Sequence, residues 1–247
     1  MAAACFILNI LSLETSSEWC SAALWRDGNV LAQEELAAQR HSELILPMID
    51  ALLRDAGMTL EDFDAIAFGA GPGSFTGLRI ACGVAQGLAF ATGVAVACVS
   101  TLLAVAQRSG AQRALACFDA RMGELYCGAF ERDASSARSW RVVHPPQLCV
   151  PATAPELNTE GWVGVGSGFA VHGAALAERY AGRLSETRAE LHPHAEDIAA
   201  LAADLVRSGL TVAPEDARPI YLRDHVALTI DERRAVKAAG GVQPEHL

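Results

Sequence analysis

Residues 69–79 read GAGPGSFTGLR, four glycines, a proline, two hydroxyls and an arginine between two apolar segments. That is the composition of a loop that cradles a phosphate. A Walker A loop needs GxxxxGK[ST], because the lysine ammonium neutralises the outer phosphates; the sole lysine here, Lys237, lies far downstream. The dinucleotide pattern GxGxxG fails as well, since Thr76 stands where the third glycine belongs and Gly77 comes one step late. What survives is physical. Gly71-Pro72-Gly73-Ser74 leads into a helix whose first N–H groups lack intrahelical partners, with Ser74 suited to cap it. Such a loop either holds an anion or is a tight turn that lets the helix approach the sheet.

Two further turns raise the same question. LETSS (13–17) follows the first strand, and VGVGSG (163–168) ends a strand in the second half. Polar turns of this kind in two lobes are what a nucleotide cleft between them would use. Glu14, Thr15, Ser16, Gly166, Ser167 and Gly168 are therefore the candidates for holding one. Metal and hydrolase signatures are thin. The histidines at 41, 144, 172, 192, 194, 225 and 246 form neither HxxxH nor HExxH. His192 and His194, either side of Pro193, read as an exposed loop before the helix HAEDIAAL. His41, before Ser42, reads as a helix-start cap or a partner contact. Asp119, Arg121 and Glu124 in FDARMGELY read as a surface ion cluster on a turn, worth little to stability. GPGSFTG lacks the supporting acid and histidine of a nucleophile elbow.

The elements that must position these residues alternate. FILNILSL (6–13), CSAALW (20–25) and VLAQEEL (30–36) read as strands, the last two joined by the hairpin signal RDGN. HSELILPMIDALLRDAG reads as a helix stopped by Gly57, with Pro47 blurring its start. DAIAFGAG is a strand feeding the glycine loop, SFTGLRIACGVAQGLAFATG (74–93) a long helix, VAVACVS a strand, and Ser100 or Thr101 a cap for TLLAVAQR. In the second half RALACFDA and ELYCGAF are strands joined by RMG. Residues 144–161 form a proline-rich connection, WVGVGSG is a strand, and helices follow near 169–181 and 195–209. This is an α/β fold with mixed sheets. The expected division is a first lobe over 1–104, a second over 105–231 whose last segment packs back on the first, and a disordered tail over 232–247.

At 51% hydrophobic residues, the 247-residue chain has ample core. A net charge of −10 argues against gripping a phosphate backbone unaided, so a nucleic-acid role would be borrowed from a partner. Seven scattered cysteines without a CxxC pair read as reduced, buried thiols, and the short N-terminal apolar run as a strand rather than a leader; both fit the cytoplasm.

Two helices carry more apolar surface than one core requires. Leu44, Ile45, Met48, Ile49 and Leu52 belong to an arc of about 200° on the first, against roughly 100° for a single buried stripe. The second is small or apolar almost all round, with Arg79 and Gln86 in one narrow stripe. Part of each face is expected to meet a second chain.

LETSSEWCSAALWRDG, RHSELILPMI, GAGPGSFTGLRIACGVAQGLAFATGVAVACVSTL, FDARMGELY, VGVGSG and PIYLRDHVA together make the chain similar to the TsaB (YeaZ) family, over almost its whole length. That family is a subunit of the bacterial machinery for N6-threonylcarbamoyladenosine at position 37 of tRNAs. The resemblance implies an actin-like ATPase fold of two similar lobes. It implies a non-catalytic scaffold that pairs with the catalytic paralogue TsaD and is joined by the ATPase TsaE. Homodimers are implied when TsaD is absent, and tRNA is met only through the complex. The metal-binding histidine pair of the catalytic paralogue is missing, His41 being its lone echo. No cofactor of its own is expected, ATP or ADP entering only at the interface with partners. The pairing surface implied lies on residues 41–56 and 74–92: His41, Leu44, Ile45, Met48, Ile49, Leu52, Phe75, Leu78, Arg79, Cys82, Gln86 and Phe90. One departure is Glu14, where nucleotide-binding members of the fold place an aspartate; the longer carboxylate would misplace a magnesium-bound water. The competing expectations are an actin-like phosphotransferase using Asp119 and, with less in its favour, a peptidase.

Overall fold

A computed structural model of the chain describes residues 7–133 and 140–223. β1 (Asn9–Glu14), β2 (Trp19–Arg26) and β3 (Asn29–Leu36) form an antiparallel meander, with Asp27 and Gly28 at positive φ in the turn. β4 (Ala65–Gly71) pairs in parallel with β1, and β5 (Ala95–Ser100) with β4, giving the sheet order β3-β2-β1-β4-β5. The crossovers are α1 (His41–Ala56) and α2 (Phe75–Thr92), which cover one face of this sheet. α1 ends at Gly57 in the left-handed conformation, and α2 starts at Ser74, whose hydroxyl accepts the Gly77 N–H at 3.3 Å.

α3 (Thr101–Arg108) leads to a second sheet of β6 (Arg113–Asp119), β7 (Leu125–Arg132), β8 (Trp140–Cys149), β9 (Trp162–Val165) and β10 (Leu184–Arg188), in the order β10-β9-β6-β7-β8. It repeats the first: a three-stranded antiparallel meander, then two strands added in parallel to its first strand. The duplication lies in topology, since the halves share no sequence repeat. α4 (Gly168–Val171) and α5 (Gly173–Arg179) cover one face of the second sheet.

α6 (Ala195–Arg207) belongs by sequence to the second half, yet it packs on the first sheet. Leu11 and Leu13 of β1 face α1 and α2, while Ile10 and Ala67 face α6 and α3. A strand covered on both sides explains the near-continuous apolar run in the sequence. Ser12, on the α6 face, donates to the Ala195 carbonyl at 2.7 Å, and Ser21 accepts the Ala195 N–H at 3.0 Å. α3 lies between the two sheets and contributes Leu102, Val105 and Ala106 to the core under the second.

After α6 the chain returns once more along α2. Val212 bridges Val96, Gln86 donates to the carbonyls of Pro214 and Ala217 at 3.1 Å each, and the Ile220 N–H reaches Ala70 at 2.7 Å. Residues 212–223 thus form a strap across the first lobe.

Three expectations need correction. Part of the proline-rich connection is the strand β8: an edge strand tolerates Pro145 and Pro146, and register shifts accompany them. The helix expected over 169–181 is broken in two at His172. His194 is not on an exposed loop; it is 6% exposed, and its Nδ1 accepts the Glu196 N–H at 3.1 Å as the cap of α6. His192, its neighbour, stacks on Trp19 at 4.8 Å and meets Glu34 at 2.8 Å. The expected tail over 232–247 lies outside the described residues. Among the described residues no helix is long and apolar enough to cross a membrane.

Candidate functional site

The glycine loop closes directly over the first turn. Ser74 N–H donates to the Ser16 carbonyl at 2.7 Å, Thr15 Oγ1 to the Gly77 carbonyl at 2.7 Å, and Thr101 Oγ1 to Pro72 at 2.5 Å. A β-carbon at Gly77 would collide with the Thr15 carbonyl, and one at Gly73 would lie 2.6 Å from that of Ser16. Backbone therefore meets backbone, and the Ser74 and Gly77 N–H groups, two of the donors that suggested an anion site, are engaged within the chain. The geometry is that of a turn seating α2 against the sheet.

Glu14, Thr15 and Ser16 are buried beneath that loop, Glu14 to 1% exposure. Glu14 Oε1 accepts the Ser16 N–H at 2.5 Å, whereas Oε2 has no partner and faces Gly69, where a β-carbon would strike it. Burial pushes this carboxyl up to about 7, against the lowering effect of its hydrogen bonds to Ser16 and Thr15. The neighbouring Cys20 thiol is pushed up to about 12 by burial and then by the Glu14 charge.

In the second lobe the structure joins Gly166, Ser167 and Gly168 to the turn between β6 and β7. Ser167 Oγ accepts the Asp119 N–H at 3.1 Å, while Gly166 and Gly168 pack against Cys117 and its neighbours. Asp119 is the centre of this group. Its carboxylate accepts the Arg121 N–H at 3.0 Å and lies 3.4 Å from the Arg121 guanidinium and 3.5 Å from His172 Nε2. The histidine and the strap residue Arg223, which pairs with Glu124 at 2.7 Å, are additions that sequence reading did not make. The signal for the latter was present in PIYLR, an apolar and aromatic run too distant to link to DARMGE.

On the helices the structure divides the expected surface. Ile45, Met48, Ile49 and Leu52 lie in the core beneath α1, as does Leu78 beneath α2 at 1% exposure. They do not reach the outside. His41 is also buried, its Nε2 2.9 Å from the Ser17 carbonyl, pinning the start of α1 to the first turn. Cys82 and Gln86 face the strap: the thiol donates to Ala217 at 3.4 Å, and the amide makes the two bonds given above. Leu44 is half-buried. What remains open on α2 is a stripe of Phe75, Arg79, Gly83, Gly87 and Phe90, with Phe75 at 50% and Phe90 at 61% exposure. Nothing lies within 4 Å of where a β-carbon would stand at Gly83 or Gly87. On α1 the exposed large apolar residue is Leu46, beside Pro47. The over-apolar helices thus resolve into a large inward share and a narrower outward stripe with aromatic ends and a flat middle.

Because that middle is open, Gly83→Ala and Gly87→Ala are each expected to stabilise the isolated chain by about 0.5–1 kcal/mol, by removing glycine's backbone freedom in a helix. Chemical denaturation checks this.

Comparison with known proteins places the whole arrangement. The family model for TsaD, tRNA N6-adenosine threonylcarbamoyltransferase, matches residues 30–230. The Escherichia coli tRNA threonylcarbamoyladenosine biosynthesis protein TsaB is 40% identical over 227 residues, covering 89% of this chain and 96% of that protein. The Haemophilus influenzae TsaB is 37% identical, covering 89% and 95%. The solved structure of YeaZ from Pseudomonas aeruginosa superposes with a TM-score of 0.79 at 40% identity, over 87% of this chain and all of that one. The duplicated five-stranded sheets are those of the actin-like ATPase fold. With two lobes of one topology, a glycine loop used as a helix seat, and 40% identity over 89% of its length, the chain belongs to the TsaB (YeaZ) family of tRNA threonylcarbamoyladenosine biosynthesis proteins.

Proposed function

We propose that this chain is a non-catalytic subunit that pairs through α2 with the transferase TsaD in the threonylcarbamoylation of tRNA adenosine. The observation that carries the proposal is the uncovered stripe from Phe75 to Phe90, flat at Gly83 and Gly87, on a helix whose other residues, Thr76 and Ala91 apart, are buried or half-buried. Small residues let a second helix approach closely, and exposed phenylalanines at either end are the anchors such a contact uses. The names of the relatives support the process, and the match of this chain to the TsaD model supports pairing with a protein of the same fold. TsaE joins the assembled pair, tRNA is met through the complex, and ATP or ADP binds only where subunits meet. A second copy of the chain occupies the stripe when TsaD is absent.

The state of the lobe turns favours a scaffold over a phosphotransferase. Glu14 is sealed under the glycine loop, and the Asp119 carboxylate already accepts the Arg121 N–H, with His172 Nε2 3.5 Å away. Titration with ATP and magnesium separates the two readings: micromolar binding by the isolated chain counts against the scaffold. The direct test is Phe90→Glu, measured by light scattering with TsaD. Phe90 is the probe because it stands outside, where Leu78 would test the core instead. The variant is expected to fold normally and to weaken the one-to-one complex by at least about tenfold, a loss of about 1.4 kcal/mol. Undiminished pairing would remove the physical basis of the proposal.

A further inference from the structure

The open stripe of α2 does not stop at the helix. Phe75, in its first turn, meets the strap residue Tyr221 at 5.5 Å between ring centroids. Arg79 lies over the Phe75 ring at 3.7 Å and donates to the Tyr221 hydroxyl at 3.0 Å. Two residues on, a step of at most about 7 Å along the chain, Arg223 lies 3.1 Å from Met122 Sδ and donates to the Ala120 carbonyl at 2.9 Å. The first lobe's helix, the strap and the second lobe's β6–β7 turn are therefore one continuous surface.

The tip of that turn is built for display. Arg121 and Met122 have φ of 63° and 56°, a conformation that side chains disfavour and that glycine or asparagine normally supplies in hairpins. The backbone is nevertheless held there, by Asp119 beneath Arg121 and by Arg223 on Ala120 and Glu124. Both side chains project outward: Arg121 is 88% and Met122 77% exposed. The 3.4 Å approach of Arg121 to Asp119 and the Arg223 contact at Met122 leave most of each side chain to solvent. Arginine and methionine are enriched where proteins meet, the one for bidentate pairing with carboxylates, the other for fitting irregular apolar surfaces.

We infer that the surface which receives TsaD spans both lobes, with Arg121 and Met122 as a second set of contacts beyond α2. The partner site opposite them carries a carboxylate for Arg121 and an apolar recess for Met122. This rests on the proposed pairing with TsaD. Protein rather than RNA is the occupant because the protruding methionine offers nothing to a phosphate backbone, and because the chain as a whole carries a net charge of −10. The strap makes the two contact sets interdependent, since its Tyr221 and Arg223 touch one each.

The test compares Arg121→Glu and Met122→Gly with Phe90→Glu in calorimetric titrations against TsaD. Arg121→Glu is expected to weaken the complex tenfold or more with its circular dichroism and melting temperature unchanged. Met122→Gly is expected to raise the melting temperature, by relieving the positive φ, and yet to weaken binding severalfold. That combination of opposite signs cannot come from misfolding. Wild-type affinity in both tip variants, with Phe90→Glu still disruptive, overturns the extension and leaves the α2 pairing standing. Failure of the unaltered chain to bind TsaD overturns both. Unchanged subunit affinity with weakened tRNA binding by the assembled complex would assign the tip to RNA, and a changed homodimer alone would assign it to a second copy; each overturns the inference.

Discussion

Gly77→Ala is expected to destabilise the protein by about 2–3 kcal/mol, although alanine is the better helix former by about 1 kcal/mol. Gly77 lies in the first turn of α2, where an added β-carbon runs into the carbonyl of Thr15. That atom belongs to backbone held by β1 and β2, and it has no rotamer by which to move aside. The helix start must lift instead, stretching the bond from Thr15 Oγ1 to the Gly77 carbonyl and that from Ser74 to Ser16. Urea denaturation of Gly77→Ala beside Gly87→Ala makes the comparison internal, because the same exchange on the same helix is expected to act in opposite directions. Equal, stabilising effects at both sites would show that the seat of α2 is not close-packed. The outcome bears on function too, since a lifted helix start displaces Phe75 and Arg79 from Tyr221.

The second large effect concerns Glu14. Its carboxyl titrates near 7 in the folded chain instead of at the ordinary 4.5. A raised carboxyl pKa means that the folded state keeps a proton which the unfolded state releases. The contribution is neutral below about 4.5, becomes increasingly unfavourable to folding as pH rises from there to about 7, and is constant above. Over that window wild-type stability is expected to fall by on the order of 3 kcal/mol from this group. Glu14→Gln keeps an acceptor for the Ser16 N–H and cannot ionise. It is expected to match the wild type near pH 4.5 and to exceed it by up to about 3 kcal/mol at pH 8. Asp197 adds a parallel decline in both proteins: burial pushes its carboxyl up to about 7 in spite of Arg108 at 3.3 Å. The difference between the two pH profiles therefore isolates Glu14, and identical profiles would show that this carboxylate is ionised and solvated in the folded chain.

The sequence was most legible where one local rule decides. Gly57 ended α1, Ser74 began α2, and RDGN turned β2 into β3, each because a single backbone conformation or cap settles the matter. It was least legible where distant segments decide. Nothing in β10, LSETR, alternates, because it is a short edge strand whose outward residues are polar. Pro145 and Pro146 looked like a connection because only an edge position lets them sit in a strand. The surface of α1 and α2 was overcounted for a related reason. Apolar periodicity records burial without saying by what, so Ile45 and Leu52, which their own sheet covers, read the same as Phe90, which it does not. Cys82 and Gln86 were out of reach altogether, since their partners Pro214 and Ala217 stand more than a hundred residues away.

The placement of α6 has a further consequence for how the chain must fold. Ile10, Trp25, Ala67 and Val99 share their core with Ala104 of α3 and with Ile198, Leu201 and Ala202 of α6, so the first sheet stays partly open on one side until residues near 200 have been made. During synthesis the first hundred residues would therefore carry a partly uncovered apolar sheet face for as long as the second lobe takes to emerge, at about 5–20 residues per second. Such an intermediate is a natural client for chaperones, and the long sequence separation of its closing contacts makes the final docking slow. The two lobes resemble each other in topology, yet the interlacing of the chain makes them a single cooperative unit that neither half can complete alone.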